Sequence, residues 1–172
     1  FASYLRFAKD KIDPQAEIKE LVQNATEMDI DVRPPDIRLL NKHFILKNNK
    51  VYFGLTDIKG VGSSVFDKLM KILSDKNLEE LHWLDYLLEI FPNINSNAAK
   101  ALMQTGAMSY LKLTRNYMLF EFSLVSNLTK KELKSVVENK QPSLKKCLEY
   151  LLENGKINKN RKEIVSDLIG SL

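Results

Sequence analysis

Residues 58–62, Ile-Lys-Gly-Val-Gly, constrain this chain more than any other stretch. Two glycines flank one valine, and apolar residues at helical spacing lie on both sides. Leu55 and Ile58 come before; Val65, Phe66, Leu69, Met70 and Leu73 come after. Glycine has no Cβ, so it takes positive φ and lets another backbone come close. The pattern predicts a short helix, a hard turn and a second helix opening at Ser63.

Two readings of that turn stand open. In one, Gly60 and Gly62 only redirect the chain between packed helices. In the other, the stretch is a helix-hairpin-helix unit. Val61 then points inward and locks the two helices together. The bare N–H groups of Gly60, Val61, Gly62, Ser63 and Ser64 join the positive end of the second helix to form a phosphate-sized anion site. Lys59 and Lys68 add charge, and Lys47 and Lys50 lie upstream. Such contacts hold the nucleic-acid backbone and do not read bases. The nucleotide-binding alternatives fail on spacing. A Walker loop needs Lys-Ser/Thr after its last glycine, whereas Ser63-Ser64 follow Gly62; a dinucleotide loop needs a third glycine and a preceding strand.

Charge bears on the choice. Basic and acidic residues balance at 16 each over residues 1–129, while 10 against 6 over residues 130–172 supply the whole net charge of +4. Between Ile37 and Thr56 there is no acid, only Arg38, Lys42, Lys47 and Lys50. A positive stretch next to a glycine turn fits a polyanion, although it also fits a solvated surface. The single cysteine, Cys147, excludes an internal disulfide, and with His43 and His82 it makes no zinc site. No apolar run approaches the roughly 20 residues of a membrane span, so no membrane partner and a cytoplasmic location are expected. The chain opens on Phe1 with no secretory pattern, which reads as an excised piece of something longer.

The expected fold is mostly α: a helical region with one β-hairpin and a helix-hairpin-helix unit. Asp13 caps a helix whose apolar face carries Ile18, Leu21, Val22, Ala25 and Met28. Pro34-Pro35 then force extended chain. Phe44–Leu46 and Val51–Phe53 form the hairpin around Asn48-Asn49, which tolerate positive φ. A leucine-rich helix is expected over residues 77–91 and a capped one from Ser96 to Gln104, stopped by Gly106. Thr114 caps another, Thr129 and Glu132 form a capping box, a helix runs from Pro142 to Gly155, and residues 160–172 make the last. The expected domains are residues 1–36, 37–126 and 127–172, the last a basic helical extension.

Three blocks in order, "PPDI", "VYFGLTDIKGVG" and "NSNAAKALMQTGAM", resemble the C family of bacterial replicative DNA polymerases, typified by the polymerase III alpha subunit. The likeness covers about residues 1–125, and "FASYLRFAKDK" resembles the last fingers helices of that family. The resemblance falls on Pro34–Ile37, Phe53–Leu55, Ile58–Gly62, Asn95 and the stretch from Ala101-Leu102 to Gly106-Ala107. Ser96-Asn97, Met108-Ser109 and Tyr52 depart from its pattern, which points to a divergent member, bacterial or phage-encoded in a bacterial host. The resemblance implies a parent chain that extends DNA by nucleotidyl transfer with Mg2+ held by palm carboxylates. Those carboxylates are expected before residue 1, so the fragment itself is expected to need no cofactor and not to polymerise. Asp29-Ile30-Asp31 reads as turn chemistry rather than a metal pair.

The implied partner is double-stranded primer-template DNA, held without sequence preference. The alternative is a helical interaction module docking a replication partner such as a sliding clamp. Gln141-Pro142-Ser143-Leu144-Lys145 starts like a clamp motif but reads better as a helix start. Trp83, Tyr86, Leu87 and Phe91 read as core, and His82 as a surface residue. Lys130-Lys131, Lys145-Lys146 and Arg161-Lys162 read either as a backbone track or as the wet faces of helices.

Overall fold

The computed structural model describes residues 13–154 and 157–172. The expected fingers-like stretch 1–11 and the Gly155 helix stop lie outside those residues. The described chain is mostly helical and divides into two compact units, residues 13–79 with Ile94–Lys112, and Glu80–Asn93 with Leu113–Leu172. This grouping cuts across the sequence-order segments 1–36, 37–126 and 127–172.

In the first unit, α1 spans Pro14–Glu27, and the Asp13 carboxylate accepts the Ala16 N–H at 3.2 Å. Three short strands follow: β1 (Asp31–Arg33), β2 (Ile45–Lys47) and β3 (Lys50–Tyr52). β3 is central. It pairs antiparallel with β2, Leu46 opposite Val51, and parallel with β1, Val32 opposite Val51. Asn48 and Asn49 both take the left-handed conformation, φ 53° and 58°, as the tight turn demands. A hairpin alone is marginal in water. Here Phe44 and Val51 are buried against Ile18, Leu21 and Val22 of α1 and against Ile30, Val32 and Phe53. β1 is an addition to the expected hairpin. The prolines that follow it hold the chain extended, and the Phe53 N–H reaches the Arg33 carbonyl at 3.2 Å.

α2 (Ser63–Leu73) buries Val65, Phe66, Leu69 and Leu73, the expected face. α4 (Ser96–Gln104) has the expected bounds, with Asn95 Oδ1 accepting from the Ala98 N–H at 2.8 Å and Gly106 at φ 88° beyond it. Between them in sequence, within the second unit, lies α3 (Trp83–Asp85), which continues as a π turn (Tyr86–Ile90) and a 3-10 turn (Phe91–Asn93). It starts later than the sequence suggests, because Asp85 turns back to accept the His82 N–H at 2.7 Å and fixes the entry there.

The second unit continues with α5 (Arg115–Val125), α6 (Lys130–Glu138), α7 (Leu144–Glu153) and α8 (Lys162–Ser171). Thr114, Thr129 with Glu132, and Ser143 supply the caps. Its core is aromatic: Phe91 meets Trp83, Tyr86 and Phe122 at centroid separations of 6.0, 5.9 and 6.1 Å. Trp83 and its neighbours are therefore packing residues and not a base-stacking platform.

Candidate nucleic-acid interface

The site is built on a backbone crossing that precedes it. Gly54 lies against the Lys42–His43 backbone so closely that a Cβ on it would sit 2.4 Å from His43 Cα and from the Lys42 carbonyl oxygen. The crossing is then stitched. The Leu55 N–H donates to Asn41 O at 2.9 Å, the Thr56 N–H to Lys42 O at 3.2 Å, and the Gly54 N–H to Asp57 Oδ2 at 2.7 Å. Asn41, nearly buried, donates its amide to the carbonyls of His43 and Phe53. The 3-10 turn Leu55–Asp57 that follows is the short first helix of the predicted unit.

From there the chain enters the glycine turn. Gly60 takes φ 96°, which side-chain-bearing residues rarely adopt. Val61 is buried at 2 % exposure, so it does lock the turn from inside. Its N–H, however, already donates to the Ile58 carbonyl at 3.0 Å. The Val61 amide is thus withdrawn from the expected set of phosphate donors, because closing the turn uses it. Gly62 takes φ −83° and ψ 175°, ordinary extended backbone, and caps α2 without any side chain to accept from the first turn. The first intrahelical bond of α2 runs from the Phe66 N–H to the Gly62 carbonyl, 3.0 Å. Among the described residues, no acceptor takes the N–H of Gly60, Gly62, Ser63 or Ser64. All four residues are exposed, and beyond its own chain neighbours no protein atom lies within 4 Å of where a Gly62 Cβ would stand.

The lysines divide. Lys59 sits on the turn, and Lys68 follows Ser64 by one helical turn on the same face of α2. Lys47 and Lys50 oppose each other as a pair at the hairpin tip, so they are sheet residues joined to the turn by no hydrogen bond. Among the described residues none of these four is in an ion pair. Arg38, by contrast, is committed. Its guanidinium grips Asp36 in two bonds of 3.0 and 2.7 Å, reaches Glu79 at 2.9 Å and lies 4.3 Å over the Tyr110 ring. The Asp36 bond leads in pushing its pKa above the ordinary arginine value. Arg161 is likewise engaged, by Glu132 at 2.8 Å and the Asn127 carbonyl at 2.6 Å. Lys130, Lys131, Lys145 and Lys146 stay exposed.

The other motifs prove structural. Asp36 also accepts the Arg38 N–H at 3.0 Å, and the Ile37 N–H donates to the Ala107 carbonyl at 3.0 Å. That bond ties "PPDI" to "TGAM". Asp29 turns the chain at φ 59°, and Asp31 pairs with Arg33 at 2.8 Å, so the two aspartates face different tasks. Ser143 caps α7 and Leu144 is buried at 1 %, which makes Gln141–Lys145 a helix start. Among the described residues no group of three or more His, Cys, Asp or Glu could hold a metal, and no helix is long and apolar enough to cross a membrane.

The exposed turn, uncapped helix start and buried valine together are the helix-hairpin-helix arrangement, and residues 29–118 match that motif's family, more than half of the chain. The chain belongs to the helix-hairpin-helix motif family. Among curated proteins it is similar to the DNA polymerase III subunit alpha of Thermotoga maritima, 29 % identical over 92 residues, which is 54 % of this chain and 10 % of that protein. It is also similar to the DNA polymerase III subunit alpha of Deinococcus radiodurans, 35 % identical over 60 residues, 35 % of this chain and 4 % of that protein. The chain therefore spans a tenth or less of the length of these relatives. No solved structure matches it. The resemblance to the C-family polymerases drawn from three motifs thus recurs in these relatives; the glycine turn itself lies in the first compact unit.

Proposed function

We propose that this chain is part of a DNA-directed DNA polymerase of the polymerase III alpha type and holds duplex DNA there by its backbone. One observation carries the reading: Gly62 has an ordinary extended conformation and open space around it, so neither its dihedral angles nor a close neighbour requires glycine there, and its helix-cap position would be served as well by Ser, Thr, Asp or Asn. A phosphate approaching the N–H groups of Gly62, Ser63 and Ser64 does explain the glycine, since a Cβ would stand in its path. The start of α2 adds its positive end, and Lys59 and Lys68 add unpaired charge. Gly60 contributes its own N–H and the geometry of the turn. Lys47 and Lys50 lengthen the contact along the duplex.

The chemistry of chain extension then belongs to metal-bound carboxylates elsewhere in the polymerase, with Mg2+, and this chain alone binds but does not polymerise. The setting is the cytoplasm of a bacterium, for a bacterial or phage-encoded enzyme. Duplex binding titrated against salt tests the reading. The expected result is a logarithmic affinity that falls linearly with logarithmic salt, by roughly 0.9 per phosphate neutralised. Lys59→Ala and Lys68→Ala each lower that slope by about one. A flat salt response, with capture of a sliding clamp in its place, would assign the chain to the protein-docking alternative.

A further inference from the structure

A second site lies wholly within the second unit. A pocket of about 580 Å³ opens there, walled by Trp83, Leu113, Pro142 and Leu144, with Tyr117 at its mouth and Glu121 lining it. Glu121 is the unusual member. It projects from the apolar helix run Tyr-Met-Leu-Phe-Glu-Phe-Ser-Leu-Val and is only 4 % exposed. Its Oε2 accepts from the Trp83 indole N–H at 2.7 Å and its Oε1 from the Tyr117 hydroxyl at 2.7 Å.

Both donors are neutral. They satisfy hydrogen bonds but leave the negative charge, and a buried carboxylate costs free energy unless a cation pairs with it. Among the described residues no cation does. The pocket's own lysine, Lys140, is bound to Asp85 and, at 2.6 Å, to Glu89. Burial lowers the Lys140 pKa, but those two carboxylates outweigh it and hold it raised, so Lys140 stays a cation committed to them. Each Glu121 oxygen keeps a further lone-pair site. Burial, with the bond to Glu121, pushes the Tyr117 phenol up to about 12, so the hydroxyl remains a donor.

We propose that this pocket receives a peptide segment of a partner protein that presents an arginine or lysine beside an apolar residue. The cation would meet Glu121 while its alkyl stem lies along Trp83 and Leu144, an arrangement that favours a charged head on an apolar body. Tyr117, which lines the pocket, is 44 % exposed, and Phe120, three residues further along α5 and so on the same side of the helix, is 42 % exposed; together they give a polypeptide more surface than a small amine could use. This site is independent of the glycine turn and does not rest on the DNA reading.

Trp83 is the only tryptophan, so its emission reports the pocket directly. The test titrates the 172-residue chain with the blocked tripeptide Leu-Arg-Leu and with its citrulline counterpart, which keeps the shape and removes the charge. The arginine peptide should shift the emission and bind at least about tenfold more tightly than the citrulline one, a difference of about 1.4 kcal/mol. Glu121→Gln should abolish that preference, and Phe120→Ser should weaken both peptides about threefold while leaving the preference intact. Equal affinity for the two peptides on the unaltered chain would overturn the proposal, whether or not Glu121→Gln folds. Benzylammonium binding as tightly as the arginine peptide would also overturn it, since the pocket would then be a small-amine site.

Discussion

Gly54 and Gly62 stand eight residues apart and share one backbone conformation, φ −79° against −83°. Neither needs glycine for its dihedral angles. Their surroundings differ completely. A Cβ at Gly54 would collide with the Lys42–His43 backbone at 2.4 Å, while a Cβ at Gly62 would meet nothing beyond its own chain neighbours within 4 Å. The first glycine is required by the fold. The second is free to be required by something outside it. The basic residues divide in the same way. Arg38 and Arg161 face inward onto carboxylates, whereas Lys59 and Lys68 face solvent unpaired. Position in a positive stretch therefore does not by itself leave a basic residue available; Arg38 is spent inside the protein, and Lys59 and Lys68 are not.

The contrast can be broken first at Gly54. Gly54→Ala should cost more than about 3 kcal/mol or prevent folding, because the atoms in the way are backbone and not flexible side-chain ends. Chemical denaturation measures it, and a loss under about 1 kcal/mol would erase the distinction. Asp36→Ala comes next. It removes both a turn cap and the two-bond grip on Arg38, and should cost about 2 kcal/mol. If Arg38 is structural, the freed guanidinium should not restore stability through any other route.

The smallest effect concerns acid. The Arg161 hydrogen bond leads in holding the Glu132 carboxyl below its usual range, against a lesser opposing push from burial. A depressed folded pKa means stability that is fully present above the unfolded value of about 4.3 and is lost as pH falls through the folded one. Glu132→Gln should therefore flatten the acid side of the stability curve by up to about 1.4 kcal/mol per pH unit and leave stability's pH dependence near neutrality unchanged. Thermal unfolding between pH 3 and 6 checks this.

What could be read in advance was what nearby residues decide. The helix Ser96–Gln104 is bounded by Asn95 and Gly106, the hairpin turns on two asparagines, and Thr129 with Glu132 opens α6; each signal lies within a few residues of the structure it sets. What escaped depends on partners far along the chain. The parallel pairing of Asp31–Arg33 with Lys50–Tyr52 has no local pattern, although Pro34-Pro35 marked the chain as extended. Arg38 stands in an acid-free stretch, yet its leading partner, Asp36, lies just before that stretch and its second, Glu79, 41 residues away. The Glu121 pocket was missed for the same reason, its tryptophan being 38 residues distant. A lone acid in an apolar helical run was the available clue. For the glycine turn, sequence supplied the location and the inward valine, but only the hydrogen bonds separate the Val61 amide, which is used, from those of Gly62, Ser63 and Ser64, which are not.

The most direct measurement is duplex affinity of the Gly62→Val chain beside the unaltered one at low salt, with denaturation run on both. The open space predicts a stability change under about 1 kcal/mol, the scale of a lost helix-cap preference. The blocked amides predict a duplex affinity lower by about tenfold. A folded Gly62→Val chain that binds duplex DNA as tightly as the original would contradict the claim that this turn holds a phosphate.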